Sequence, residues 1–191
     1  AAIGKGGEAL VDAQDKDGMW LFRKKDNSTW GQIYMPWTYA SWIQAYLLVG
    51  DALPKAQRAK CEKGLILGFS GISKTTLTRI ANIPCYDAMA LYLAGIAFRN
   101  EAWKKQAWDF EHKIIEAQAP EGYWSENSGP VVTYNMVYTD ALGVYYHFSK
   151  DPAALAALDR AVKFHSGILW SDGSSAAAID ERVIYEKGVT V

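Results

Sequence analysis

Three stretches of the chain are apolar on almost every side, and each adjoins a stretch that is apolar on one side only. From Trp37 to Val49 only Thr38, Ser41 and Gln44 interrupt the apolar run, and Pro36 suits the first turn of a helix. YDAMALYLAGIAF, after Pro84, is a second such run, and the third closes the stretch Gln118 to Phe148. A helix apolar all round is normally buried, so these read as three buried helices. Residues 52–69 are amphipathic, with Arg58, Lys60, Glu62 and Lys63 facing water. After Asn100, a stripe of Trp103, Ala107, Phe110, Ile114 and Ala117 runs amid Lys104, Lys105, Asp109, Glu111 and Lys113. Residues 152–165 are amphipathic again, with Asp151 as N-cap and Pro152 at the first position. Residues 1–13 make a weak helix opposed by three glycines. Polar loops are expected over 21–35 and 70–82, and 166–191 is an irregular tail with a turn at Asp172-Gly173 and a short strand at Val183–Tyr185.

These elements repeat. The breaks at Gly50-Asp51, Arg99-Asn100 and Lys150-Asp151 fall 49 and then 51 residues apart, each dividing an all-apolar helix from a one-sided one. Gln14-x3-Gly18-x-Trp20 recurs as Gln118-x3-Gly122-x-Trp124, 104 residues later. Periods of this kind indicate helical hairpins stacked side by side. The expected fold is all-α, an incomplete α/α toroid with apolar helices inside and amphipathic helices outside. It forms a single domain over 1–191 and is expected to be part of a longer chain.

Composition narrows the function. A net charge of −1 and a pI near 6.4 argue against a large nucleic-acid-binding face. No apolar run reaches the length of a membrane span. Cys61 and Cys85 lack metal-ligand spacing and read as buried thiols, with a single disulfide between them as the alternative. No metal or cofactor is implied. Aromatics make up 13% with eight tryptophans, which suits sugar stacking and core packing equally.

In a toroid the loops entering the inner helices share one rim. Those loops carry Trp30, Tyr34 and Trp37, then Lys74, Arg79 and Asn82, then Trp124, Glu126, Tyr134 and Tyr138. Indole faces, cations, amides and phenols together suit a long acidic, sugar-like ligand. Each has a plainer reading. Asn82 before Pro84 suits a helix cap, Tyr134 and Tyr138 suit packing with satisfied hydroxyls, and Glu126, Lys74 and Arg79 suit a solvated loop. Trp20 and Trp124 recur with Gln and Gly, which favours a structural joint.

Asn82, YDAMALYLAGIAF, the tryptophan-bearing outer helix, EGYWSENSGPVVTY and the later SDGS together resemble the helical domain of heparinase II/III-like and alginate-lyase-like polysaccharide lyases. The resemblance covers residues 82–150 and the later SDGS, and the first 80 residues only by pattern. It implies an incomplete α/α toroid, an acidic polysaccharide substrate and a periplasmic or extracellular location. In that family an Asn, often followed by His, neutralises the uronate carboxylate, and a Tyr or His exchanges the proton. Here Asn82 is followed by Ile83, and Tyr134, with Tyr138 close behind, stands where the family's Tyr would fall.

β-Elimination on a uronate requires a neutralised carboxylate, a base for the α-proton and an acid for the leaving oxygen. Asn82 with Arg79 or Lys74 suits the first need. Tyr134 is the candidate proton carrier, and a phenol with a reference pKa of ~10 needs a cation such as Arg79 to act as base near neutrality. Glu126 is the candidate additional acid, and Trp30, Trp37, Tyr34, Lys74, Trp124 and Tyr138 are candidates for holding substrate. Two alternatives remain: a glycan-binding module without catalysis, and a glycoside hydrolase, for which Glu126 would need a second carboxylate such as Asp87 or Asp140 across the cleft.

Overall fold

The computed structural model describes residues 2–126 and 129–174. Among these, the helices are α1 Ala2–Ala13, α2 Pro36–Val49, α3 Lys55–Thr75, α4 Asn82–Ala97, α5 Glu101–Glu116, α6 Val132–Ser149 and α7 Pro152–Ser166. The strands are β1 Trp20–Arg23 with β2 Thr29–Ile33, and β3 Ser125–Glu126 with β4 Gly129–Pro130, each pair antiparallel. The described chain is thus mainly helical, as its periodicity implies. The strand expected at Val183–Tyr185 and most of the 166–191 tail lie outside the described residues.

Most helix ends follow from local chemistry. Pro36 opens α2, and the Asp151 side chain accepts the Ala153 N–H at the start of α7, with Pro152 next in line. Arg99 and Lys150 adopt left-handed φ of 53° and 57° after α4 and α6, where the chain must turn sharply. The Asn100 carboxamide accepts the Trp103 N–H at the head of α5.

Two expected loops are ordered structure. Residues 21–35 contain the β1–β2 hairpin, paired Trp20 to Ile33 and Phe22 to Gly31. Residues 70–75 extend α3, because Phe69 and Ile72 continue its buried face beyond Leu65. Ser73, Thr75 and Thr76 return their hydroxyls to the carbonyls of Ser70, Gly71 and Ile72, so residues that often favour loops here serve the helix. The glycines of α3 have a packing cause: a Cβ at Gly68 would collide with Tyr39, and one at Gly71 with Tyr34. The same holds in α1, where a Cβ at Gly4 would meet Gln57 and one at Gly7 would meet Cys61, so these glycines allow α1 to approach α3 closely.

The chain divides into two compact units, Ala1–Thr78 with Tyr86–Trp108, and Arg79–Cys85 with Asp109–Val191. The first unit has a core of Tyr39, Ile43, Leu65, Phe69, Ile72, Met89 and Leu93. Burying one such side chain stabilises by about 1.5–3 kcal/mol. The second unit is built on Ile114, Trp124, Tyr138, Leu142 and Tyr145. Glu111, read from sequence as part of the water-facing side of α5, is instead fully buried. It stands one turn after Ala107 and three residues before Ile114, on the face those residues bury.

The two units contain the same joint. In the first, Gln14 Nε2 donates to the Tyr39 hydroxyl at 2.6 Å and the Gly64 carbonyl at 3.1 Å, while the Trp20 indole donates to Leu10 O at 3.1 Å. In the second, Gln118 Nε2 donates to Gly122 O at 3.0 Å and Ala157 O at 2.9 Å, and the Trp124 indole donates to Ile114 O at 2.8 Å. Backbone bonds close both turns alike, Asp15 N to Met19 O and Ala119 N to Tyr123 O. Gly18 and Gly122 have φ of 88° and 105°. In each joint the indole also packs on a tyrosine of the following helix, Trp20 on Tyr39 at 4.9 Å and Trp124 on Tyr138 at 5.1 Å.

Candidate functional site

In the second unit, the start of α4 meets β3 and α6. The Asn82 backbone N–H donates to Glu126 Oε1 at 3.3 Å, and the Tyr138 hydroxyl donates to the same oxygen at 3.0 Å. The first amides of a helix lack intrahelical acceptors, and a carboxylate there is favourable. Glu126 therefore ties the head of α4 to α6. Arg79 stands close enough to lower the Tyr138 pKa, although burial and Glu126 together push it well above the ordinary phenol value. Tyr134 precedes Tyr138 by one helical turn on the same face of α6 and is part-exposed. Arg79 is exposed, and neither its guanidinium nor the Asn82 carboxamide has a hydrogen-bond partner among the described residues.

The structure thus brings together Arg79, Asn82, Glu126 and Tyr138, with Tyr134 on the adjoining turn. Two expected roles change. Trp124 is 1% exposed, with its ring stacked on Tyr138 and its N–H bound to Ile114 O, so it offers no face to a sugar. Tyr138 is fully buried and its hydroxyl is committed to Glu126, so it packs instead of contacting substrate.

In the first unit, Trp30 is 56% and Trp37 48% exposed. Trp37 borders an open groove of about 500 Å³ between α1 and α2, lined also by Ile3, Leu10, Thr38, Ser41 and Trp42. Its lining suits an apolar ring face and offers no cation. Tyr34 is half-buried, and burial, followed by Asp17 and Asp15, raises its pKa. Lys74 is exposed on the last turn of α3, not in a loop.

Three polar clusters escaped the sequence reading. Asp87 on α4 is 1% exposed with Oδ1 unpartnered, and burial raises its pKa to about 7 against a Thr76 hydrogen bond that lowers it. Its burial removes it as an accessible second carboxylate for hydrolysis. Glu111 receives the Cys85 thiol at 3.5 Å, and burial drives its pKa far up. Asp151 accepts His112 Nε2 at 2.7 Å and the Tyr145 hydroxyl at 2.9 Å as well as capping α7. Periodicity could have found Glu111, and the capping position flagged Asp151, but no local pattern announces the partners. Cys61 and Cys85 are both buried, and neither forms a disulfide. Among the described residues, no group of three or more His, Cys, Asp or Glu is placed to hold a metal ion, and no helix is long and apolar enough to cross a membrane.

Comparison with family models, with curated proteins and with solved structures gives no match.

Proposed function

We propose that the chain is a carbohydrate-active protein acting on an acidic, uronate-containing polysaccharide as a lyase, by β-elimination, on an incomplete α/α toroid. The observation that carries this reading is the unspent polarity at the head of α4, the Arg79 guanidinium and the Asn82 carboxamide, next to the turn of α6 that bears Tyr134. Both groups would hydrogen-bond the uronate carboxylate and so acidify the α-proton. The Tyr134 phenol oxygen would take that proton and return it to the leaving glycosidic oxygen as the C–O bond breaks. The resemblance to heparinase II/III-like and alginate-lyase-like enzymes supports the same chemistry. The test is incubation with alginate, heparin and chondroitin, following the ultraviolet absorbance of the unsaturated product. A rise that disappears in Arg79→Ala and Asn82→Ala is expected, and no rise with any uronate polymer would sink the reading.

A non-catalytic glycan-binding module is the second reading. It is favoured by Ile83 where the family has His. Binding without product would establish it.

A further inference from the structure

The β1–β2 hairpin is longer than its joint needs. Both joints use the same glutamine, glycine and tryptophan bonds, yet the second is served by strands of two residues each, while β1 and β2 have four and five. The additional residues bury little. From Arg23 to Trp30 every position is exposed. Such a projection costs backbone entropy without adding to a core, so its cause lies outside folding.

Its surface chemistry is specific. Trp30 stacks on Phe22 with centroids 4.6 Å apart and planes 25° apart, so one indole face is backed and the other side remains open to solvent. Arg23, Lys24 and Lys25 follow Phe22 directly in the chain, are exposed, and form no ion pair among the described residues. The single acid of the hairpin, Asp26, is turned into the loop, where its Oδ1 accepts the Ser28 N–H at 3.0 Å and O–H at 2.6 Å. The tip is held further by Lys24 N to Ser28 O at 2.7 Å and by the Thr29 hydroxyl to Phe22 O at 2.6 Å. One hairpin therefore presents both a flat aromatic platform and three exposed cations, consecutive in the chain, on an ordered support, in a chain whose net charge is −1.

We propose that this hairpin is a lip that holds an acidic polysaccharide chain, one sugar ring stacking on the open face of Trp30 while Arg23, Lys24 and Lys25 pair with the anionic groups of neighbouring sugars. It rests on the acidic-glycan reading above and adds a second place of contact to it. A stacked aromatic pair loses little rotamer freedom on binding, and cations on a held turn meet anions without ordering a loop. Single-stranded nucleic acid also combines rings with anions, and a preference for it is one of the outcomes of the test below.

The experiment measures, by calorimetric titration of the whole chain, affinity for an alginate oligosaccharide, a heparin oligosaccharide and an oligothymidylate. The variants are Trp30→Ala, Trp30→Phe, the pair Lys24→Gln and Lys25→Gln, and Arg79→Ala, with circular dichroism to confirm folding. The lysine pair guards against hairpin collapse, because the turn uses Lys24 only through its backbone. Expected are a loss on the order of 10-fold in Trp30→Ala, recovery in Trp30→Phe and a weaker salt dependence in the lysine variant. Tighter binding of heparin than of alginate would assign the anions as sulfates, and the reverse as carboxylates, both within the proposal. If alginate and heparin bind the hairpin variants as well as the wild type while Arg79→Ala loses binding, the lip is refuted and the acidic-glycan reading stands. If the wild type binds neither glycan, both fall. Preference for oligothymidylate would overturn the lip in favour of nucleic acid.

Discussion

Gly122 lies so close to Arg160 on α7 that a Cβ at that position would collide with the Arg160 carbonyl. Its φ of 105° is also one that L side chains rarely adopt. With steric and conformational objections acting together, Gly122→Ala should lower the unfolding free energy by at least ~2 kcal/mol. Gly31 has a φ of 82° but open space around its Cα, so the same change there should cost only about 1 kcal/mol. Urea midpoints at constant slope measure both, and equal losses would contradict the packing account.

Asp87 makes stability fall as pH rises from the acid range to neutrality. Burial raises its folded pKa to about 7, so the folded state holds its proton after the unfolded state has released it. Its contribution is complete below pH ~4 and is lost as pH rises through about 7, a change on the order of 4 kcal/mol. Asp87→Asn should flatten that decline. Unfolding curves at pH 4.5 and pH 8 that fall equally for wild type and variant would argue against it.

Asp151 acts with the opposite sign. Burial alone would raise its pKa, but His112, the Ala153 amide and Tyr145 outweigh it, and the net shift is downward. Its stabilisation is therefore present above the ordinary carboxylate pKa of ~3.9 and fades as pH falls through the lower folded value. Asp151→Ala should cost about 1–2 kcal/mol at pH 7 through the lost cap and hydrogen bonds, and clearly less at pH 2.5. A cost independent of pH would show that only shape mattered.

Tyr134 and Tyr138 separate chemistry from packing. Tyr138→Phe removes a buried hydroxyl bonded to Glu126 and should destabilise by about 1–2 kcal/mol. Tyr134→Phe should leave the melting temperature within a few degrees while turnover falls 10²–10⁴-fold. The converse pattern would make Tyr134 the structural member of the pair.

The helices were legible because their ends depend on nearest neighbours: Pro36 opens α2, and Asp151 caps α7. The recurring Gln, Gly and Trp were legible as a joint because each makes a bond within about ten residues, as Trp124 does to Ile114. The end of α3 was misread because serine and threonine hydroxyls serve helix carbonyls and loops alike, and only the buried side of Ile72 decides between them. Trp124 and Tyr138 were misplaced at a rim because aromatic richness has the same appearance whether rings face a ligand or each other. Glu111 was misjudged by residue type, although its spacing from Ala107 and Ile114 put it inside. The meeting of Asn82 with Glu126 spans 44 residues and depends on the fold as a whole.

The reversal between α6 and α7 bears on the order of assembly. Lys150, left-handed at a φ of 57°, ends one helix, and Asp151 caps the next, so the chain doubles back with almost no loop to close. Loop-closure entropy is smallest there, whereas joining α1 to α3 must close a segment that includes the whole β1–β2 hairpin. The α6–α7 pair should accordingly acquire amide protection earliest when the denatured chain is diluted into buffer and pulse-labelled with deuterium. Protection appearing first in α1 would place the nucleus elsewhere.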